Sequence, residues 1–192
     1  LHKSCVEAYD LQRFYTTLHN FCATDLSAFY FDVRKDSLYC DRPDNRRRRA
    51  ARTVLDILFD TLVRWLAPVL VFTADEAWLA RHPSPDGSVH LELFRPIPPE
   101  WEDAALARRW ERIRRVRRVI TGALERERKE KRIGSSLLAA PIVWVTAEDA
   151  QALAGVDLAE LAITSGIEVR VGEPPLEAFQ LPDVPGVGVL PE

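Results

Sequence analysis

Arg34, Lys35, Asp36 and Tyr39 fall within six residues of one another near the end of the stretch LSAFYFDVRKDSLYCD, residues 26–41. Cations in such a cluster hold phosphates, and a phenol ring stacks on an unpaired base. Arg42 follows closely and extends the basic character. A second basic site is the run RRRR at residues 46–49, placed where a helix should begin. Positive charge there opposes the helix dipole, so the run calls for anions, either phosphates or carboxylates of the chain itself. A third site closes a long basic helix in KEKRIGSS, where Lys131, Arg132, Ser135 and Ser136 can grip a phosphate backbone. Competing with that reading is a solvated face laced by Glu125, Glu127 and Glu130 at ion-pair spacing.

Catalytic chemistry has no comparable footing. There is no Gly-rich phosphate loop, nucleophile elbow or pair of metal ligands, so no catalytic residue and no metal site is assigned. Adjacent Asp75 and Glu76 are read as helix-start residues, with Thr73 and Glu76 in a capping box. His90 has no second ligand nearby. Cys5, Cys22 and Cys40 are odd in number and lack metal-ligand spacing, which fits a reducing cytoplasm, with Cys22 as a small core residue.

The elements that must position these residues are mostly helical. Leu11, Phe14, Tyr15, Leu18, Cys22, Leu26, Phe29 and Val33 keep helical spacing for about six turns. Asp25 and Asp32 lie beside that apolar stripe, and at least one of them is expected to pair with Arg48 or Arg52. Before it, residues 1–8 read as the tail of a helix, with a break near Tyr9 and Asp10. After it, Asp44 or Asn45 caps a helix whose apolar arc predicts the most buried member of a bundle, ended or kinked by Pro68. A short helix from Ala74 carries Trp78, and VHLELF forms a short extended segment in a loop. Residues 100–133 are helical again, with Trp101, Leu106, Trp110, Ile113, Val116, Val119, Ile120 and Leu124 inward and Gly134 as the stop. Strands are predicted at 140–145 and 166–171, with helices at 148–154 and 158–163 between them.

The expected fold is therefore mainly α: a helix bundle over residues 1–134, a small α+β module over 135–172, and a loosely packed Pro/Gly-rich tail over 173–192. The net charge is −3, and no apolar run approaches the ~20 residues of a membrane span, so a soluble, cytoplasmic monomer is expected. Charge is unevenly spread. Residues 108–132 carry twelve Arg or Lys against four Glu, whereas residues 146–192 carry nine acids and one Arg. A basic face can thus meet a polyanion without a basic pI. The chain starts at Leu1 and has no Met, which reads as a piece cut from a larger protein.

LSAFYFDVRKDSLYCD, LVRWLAPVLVFTADEAW, KRIGSSLLAA and LAITSG, in this order, together resemble the C-terminal region of isoleucyl-tRNA synthetases. Valyl- and leucyl-tRNA synthetases share the architecture, and RKDSLYCD and TSG tilt the likeness toward the isoleucine enzyme. The resemblance implies a class I anticodon-binding helix bundle that grips the anticodon stem and loop of an isoleucine tRNA. Other domains would carry ATP and magnesium for the ligation of isoleucine, and many bacterial members add a zinc module. The family's HIGH and KMSKS signatures do not occur in this sequence, which therefore needs no cofactor of its own. Arg34, Lys35, Asp36 and Tyr39 are implied to lie near the anticodon, with Arg42 and Arg46 as supporting phosphate contacts. With parts of the bundle outside the sequence, an exposed apolar groove is expected. The alternative of another class is a helical module whose basic helix binds an acidic partner.

Overall fold

The computed structural model describes residues 2–191; Leu1 and Glu192, the outer ends of the first expected helix and of the expected tail, lie outside them. The chain divides into two compact units, one ending at Ile97 and one beginning at Pro98.

In the first unit, α1 (His2–Glu7) stops at Tyr9, whose φ of 54° breaks the helical path, and Asp10 then caps α2 (Leu11–Asn20) by accepting from Arg13 N at 3.1 Å. The long apolar stripe does not continue as a simple α-helix. Residues Phe21–Phe31 are π-helical and run without a break into α3 (Asp32–Tyr39). Phe14, Leu18, Cys22, Leu26 and Tyr30 recur every fourth residue, a spacing that drifts round a 3.6-residue turn. Wider i→i+5 turns absorb that drift and keep these residues toward the interior. Leu26 is buried there, Cys22 is half-buried, and desolvation raises its thiol pKa above the ordinary range.

Asn45, one of the two cap candidates, accepts from Arg47 N at 2.8 Å and starts α4 (Arg46–Leu66), which ends just before Pro68 as expected. Its burial is less than predicted. Only Ala51, Val63 and Arg64 are buried along it, while Val54 and Ile57 are exposed. One side of α4 packs Leu62, Trp65 and Leu66 on Cys5, Phe14 and Leu18. Val63 joins Ala67, Ala74, Trp78 and Val89 in a second cluster. Between these, residues including Phe31, Leu58, Leu62 and Ala74 line an apolar groove of about 400 Å³, in line with the expected exposed groove.

The helix α5 (Val71–Arg81) begins three residues before the expected start and has no side-chain cap, so the Thr73/Glu76 capping box does not form. Asp75 instead accepts from Ser88 Oγ at 2.7 Å and Val89 N at 2.9 Å, and these bonds hold its carboxyl below the usual range. They shape a 3₁₀ turn at Val89–Leu91 where an extended segment was expected. His90 Nε2 lies 3.1 Å from the Val71 carbonyl. Below this turn Arg64, almost fully buried, pairs with Asp60 and with Glu92 at 2.9 Å and stands 4.6 Å from the Trp78 ring centroid.

The second unit is built on α6 (Ala104–Lys129), capped by Asp103. Ile113, Val116, Val119, Ile120 and Leu124 are buried as predicted, whereas Trp101 and Leu106 are exposed. The helix ends ahead of Gly134, with Lys131 taking the left-handed conformation at φ 59°. Strand β1 (Ile142–Val145), helices α7 (Ala147–Leu153) and α8 (Leu158–Ala162), and strand β2 (Glu168–Val171) follow close to the predicted limits, and β1 and β2 pair in parallel.

The tail is where expectation and structure diverge most. Residues Gly188–Leu190 form β3, antiparallel to β1, giving the order β2-β1-β3 with β1 central. Val187 and Val189 have no exposed surface and Val184 is buried, so the tail is core rather than linker. The small residues permit this close packing: a Cβ on Gly188 would meet Pro174 Cβ at 2.3 Å. The division at 134 is likewise replaced, because α6 packs on α7, α8 and β3 and belongs with them.

Candidate nucleic-acid interface

The end of α3 lies in the first unit. Val33 and Ser37 face inward and are buried; Lys35, Asp36, Tyr39 and Cys40 are exposed, and Arg34 is half-buried. This follows from helical spacing, since residues four apart share a face and their neighbours turn away. Tyr39 is 83% exposed, leaving both ring faces accessible. Lys35 Nζ bonds Asp32 Oδ1 at 2.6 Å, which raises the lysine pKa and orients the ammonium. Asp32 thus takes a partner on its own helix rather than Arg48 or Arg52, as was expected for it or Asp25. Burial pushes the Tyr30 hydroxyl pKa up, with Arg34 pulling the other way.

The carboxylate that ties α3 to α4 is Asp41. It accepts from Arg47 Nε at 3.1 Å and Ser37 Oγ at 3.2 Å, and the Arg47 bond is the main cause that holds its pKa below the usual range. Arg48 Nη1 donates to the Asp41 carbonyl at 2.6 Å. The RRRR run therefore splits. Arg47 and Arg48 are drawn back to Asp41, whereas the exposed Arg46 and Arg49 have no ion pair among the described residues. Arg42 is exposed and lies 3.3 Å from Asp44.

The other candidates lie in the second unit. Arg132 donates Nε and Nη2 to Glu127 and Nη1 to Glu130, so its charge is largely met within the chain. That pairing holds the buried Glu127 carboxyl below the usual range. Lys131 is exposed and lines a basin of about 450 Å³ with Glu125, Arg128 and Lys129. Ser135 caps the 3₁₀ turn Ser136–Leu138 by accepting from Leu137 N, and Ser136 is half-buried.

Along α6 the arginines mostly serve the unit itself. Arg112 pairs with Glu148 at 2.5 Å and Asp149 at 3.1 Å, and Arg118 pairs with Asp183. Arg109 donates to the Ala152 and Ala154 carbonyls and Arg117 to that of Leu161, filling acceptors left open at the ends of α7 and α8. The acidic partner of the basic helix is thus, in good part, the C-terminal half of the same unit. Sequence charge counts showed the asymmetry but not its internal neutralisation.

An exposed ring with flanking cations on a helical unit is a form suited to gripping unpaired RNA. Residues 3–143 match the model of the anticodon-binding domain of tRNA ligases, and the chain belongs to that family. Among curated relatives, the isoleucine–tRNA ligase of Bartonella henselae is 53% identical over 184 residues, covering 95% of this chain and 19% of that protein. That of Brucella abortus is 51% identical over the whole chain and 20% of its own length, and that of Agrobacterium fabrum is 53% identical over 95% and 19%. The chain spans about a fifth of the length of these relatives. No helix among the described residues is long and apolar enough to cross a membrane.

Proposed function

We propose that the chain is the anticodon-binding part of an isoleucine–tRNA ligase and grips the anticodon stem and loop of an isoleucine-accepting tRNA. The observation that carries this reading is the family match over residues 3–143, coupled to identities above 50% with isoleucine–tRNA ligases across nearly the whole chain. Ligation of isoleucine, with ATP and magnesium, and any zinc module belong to parts of the parent enzyme beyond this sequence, in a monomer of the cytoplasm. Tyr39 stacks on an unpaired base of the loop, Asp36 accepts from a base edge, and Lys35 and Arg34 neutralise the adjoining phosphates. Arg42, Arg46, Lys131, Ser135 and Ser136 provide backbone contacts. Arg132, already engaged by Glu127 and Glu130, contributes less than Lys131 beside it.

Filter binding of the chain to an isoleucine tRNA and to the same tRNA with a changed anticodon tests the reading. Tight binding that weakens steeply with salt and prefers the unaltered anticodon is expected. Tyr39→Ala should erase most of that preference, costing about 1–3 kcal/mol for one stacked base. Equal affinity for both tRNAs, or loss of binding on Lys131→Ala but not on Lys35→Ala, would move the reading site away from α3.

A further inference from the structure

Arg49 and Arg52 of α4 and Arg81 at the end of α5 line one open basin of about 580 Å³ on the first unit. The single carboxylate on this basin, Asp56, lies 2.5 Å from Arg81 Nη2. Asp56 stands four residues after Arg52, at ion-pair spacing, yet its partner is Arg81. Three guanidinium groups thus share one acid. Arg46 sits one turn before Arg49 on the same face, and neither these two nor Arg52 has an ion pair among the described residues.

Folding alone does not account for this arrangement. Arg47 and Arg48 are fixed by Asp41, but Arg46 and Arg49 lie in the first turns of α4, where the helix dipole disfavours cations. An external anion removes that penalty and gains from the same dipole. Arg46, Arg49 and Arg52 extend over about 9 Å of helix, too far for one small anion to span and suited to consecutive phosphates of one strand. Guanidinium forks match phosphate oxygens in pairs, and such contacts position a nucleic acid without reading its bases.

We infer that Arg46, Arg49, Arg52 and Arg81 form a phosphate-binding ridge that holds the RNA backbone beside the α3 tip and sets its register. The inference rests on the tRNA-binding reading above and extends it from Arg46 to Arg49, Arg52 and Arg81. Its contacts are indifferent to sequence, whereas those of Tyr39 and Asp36 are not.

Two measurements on the full chain test it. In the first, inorganic pyrophosphate is titrated while the arginine Nε–Hε NMR signals are followed. Shifts at Arg49, Arg52 and Arg81, absent at Arg47 and abolished in Arg49→Ala/Arg52→Ala, are expected. In the second, tRNA affinity is measured against salt. The double variant should lower the slope of log K on log salt by about 1.4–1.8, from 0.7–0.9 per lost phosphate contact. It should weaken both tRNAs, with native and changed anticodon, by the same factor. Arg47→Ala should lower the melting temperature and leave the slope unchanged. No pyrophosphate shift at the three arginines, an unchanged slope, or a loss confined to the native anticodon overturns the ridge. Pyrophosphate shifts without tRNA binding by the unaltered chain would instead overturn the tRNA reading and leave an anion site.

Discussion

Asp41 gathers the Arg47 guanidinium and the Ser37 hydroxyl on its carboxylate and the Arg48 guanidinium on its carbonyl, so one residue ties the end of α3 to the start of α4. Its folded pKa is lowered, as are those of Asp75 and Glu127. A depressed folded pKa contributes stability that is present above the unfolded value, near 4, and lost as pH falls through the folded one. Thermal melts should therefore hold steady from neutral pH to about pH 5 and decline below about pH 4. Asp41→Asn should lower the melting point at pH 7, and the difference from the parent should shrink as the pH falls below about 4. Arg64 is a different case, because its guanidinium is buried while Asp60 is half-buried and Glu92 is exposed. Truncation by Arg64→Ala leaves Asp60 to Arg95 alone, takes the partner from Glu92 and removes the stack on Trp78, and urea unfolding should register a loss of about 1–3 kcal/mol.

At the level of elements, the tail and the end of α6 make opposite predictions for two glycines. Gly188→Ala drives a methyl into Pro174 beneath the β1–β3 pair and should cost about 1–3 kcal/mol. Gly134 has no positive φ and an added Cβ would meet only Leu138 Cδ1, at an ordinary 3.9 Å, so Gly134→Ala should stay within about 0.5 kcal/mol of the parent. Composition pointed the other way, marking Gly134 as a stop and the tail as slack. Pro and Gly are frequent in linkers, but here they let a strand approach closely, with Val187 and Val189 supplying the core. The helical periods of α2, α4 and α6 were legible because amphipathic spacing is a local property. The π-helical turns were less so, since a four-residue spacing differs from an α-helical one only by an accumulating drift.

For the whole molecule the central question is where the positive charge is left available. Much of the excess on α6 is neutralised by Glu148, Asp149 and Asp183 or bonded to helix-end carbonyls. Arg112→Ala and Arg118→Ala should therefore lower the melting temperature while leaving the salt slope of tRNA binding unchanged within error. A fall in slope matching that of Arg49→Ala/Arg52→Ala would show that α6 is an RNA surface after all. On the first unit Arg46, Arg49 and Arg52 have no such ion-pair partners among the described residues, and there a polyanion has most to neutralise.

By itself the sequence determined the helical character, the family likeness and the exposed Tyr39 at the end of an apolar helix, because periodicity and motif order are written along the chain. Only the tertiary structure decided which arginines are structural. Arg46 and Arg47 are neighbours of one type, yet one is left exposed and the other is drawn to Asp41. Arg132 is held by Glu127 and Glu130, whereas Lys131 beside it is not. Ion pairing depends on which side chains converge in space, and the sign of a residue does not reveal whether its charge is already met.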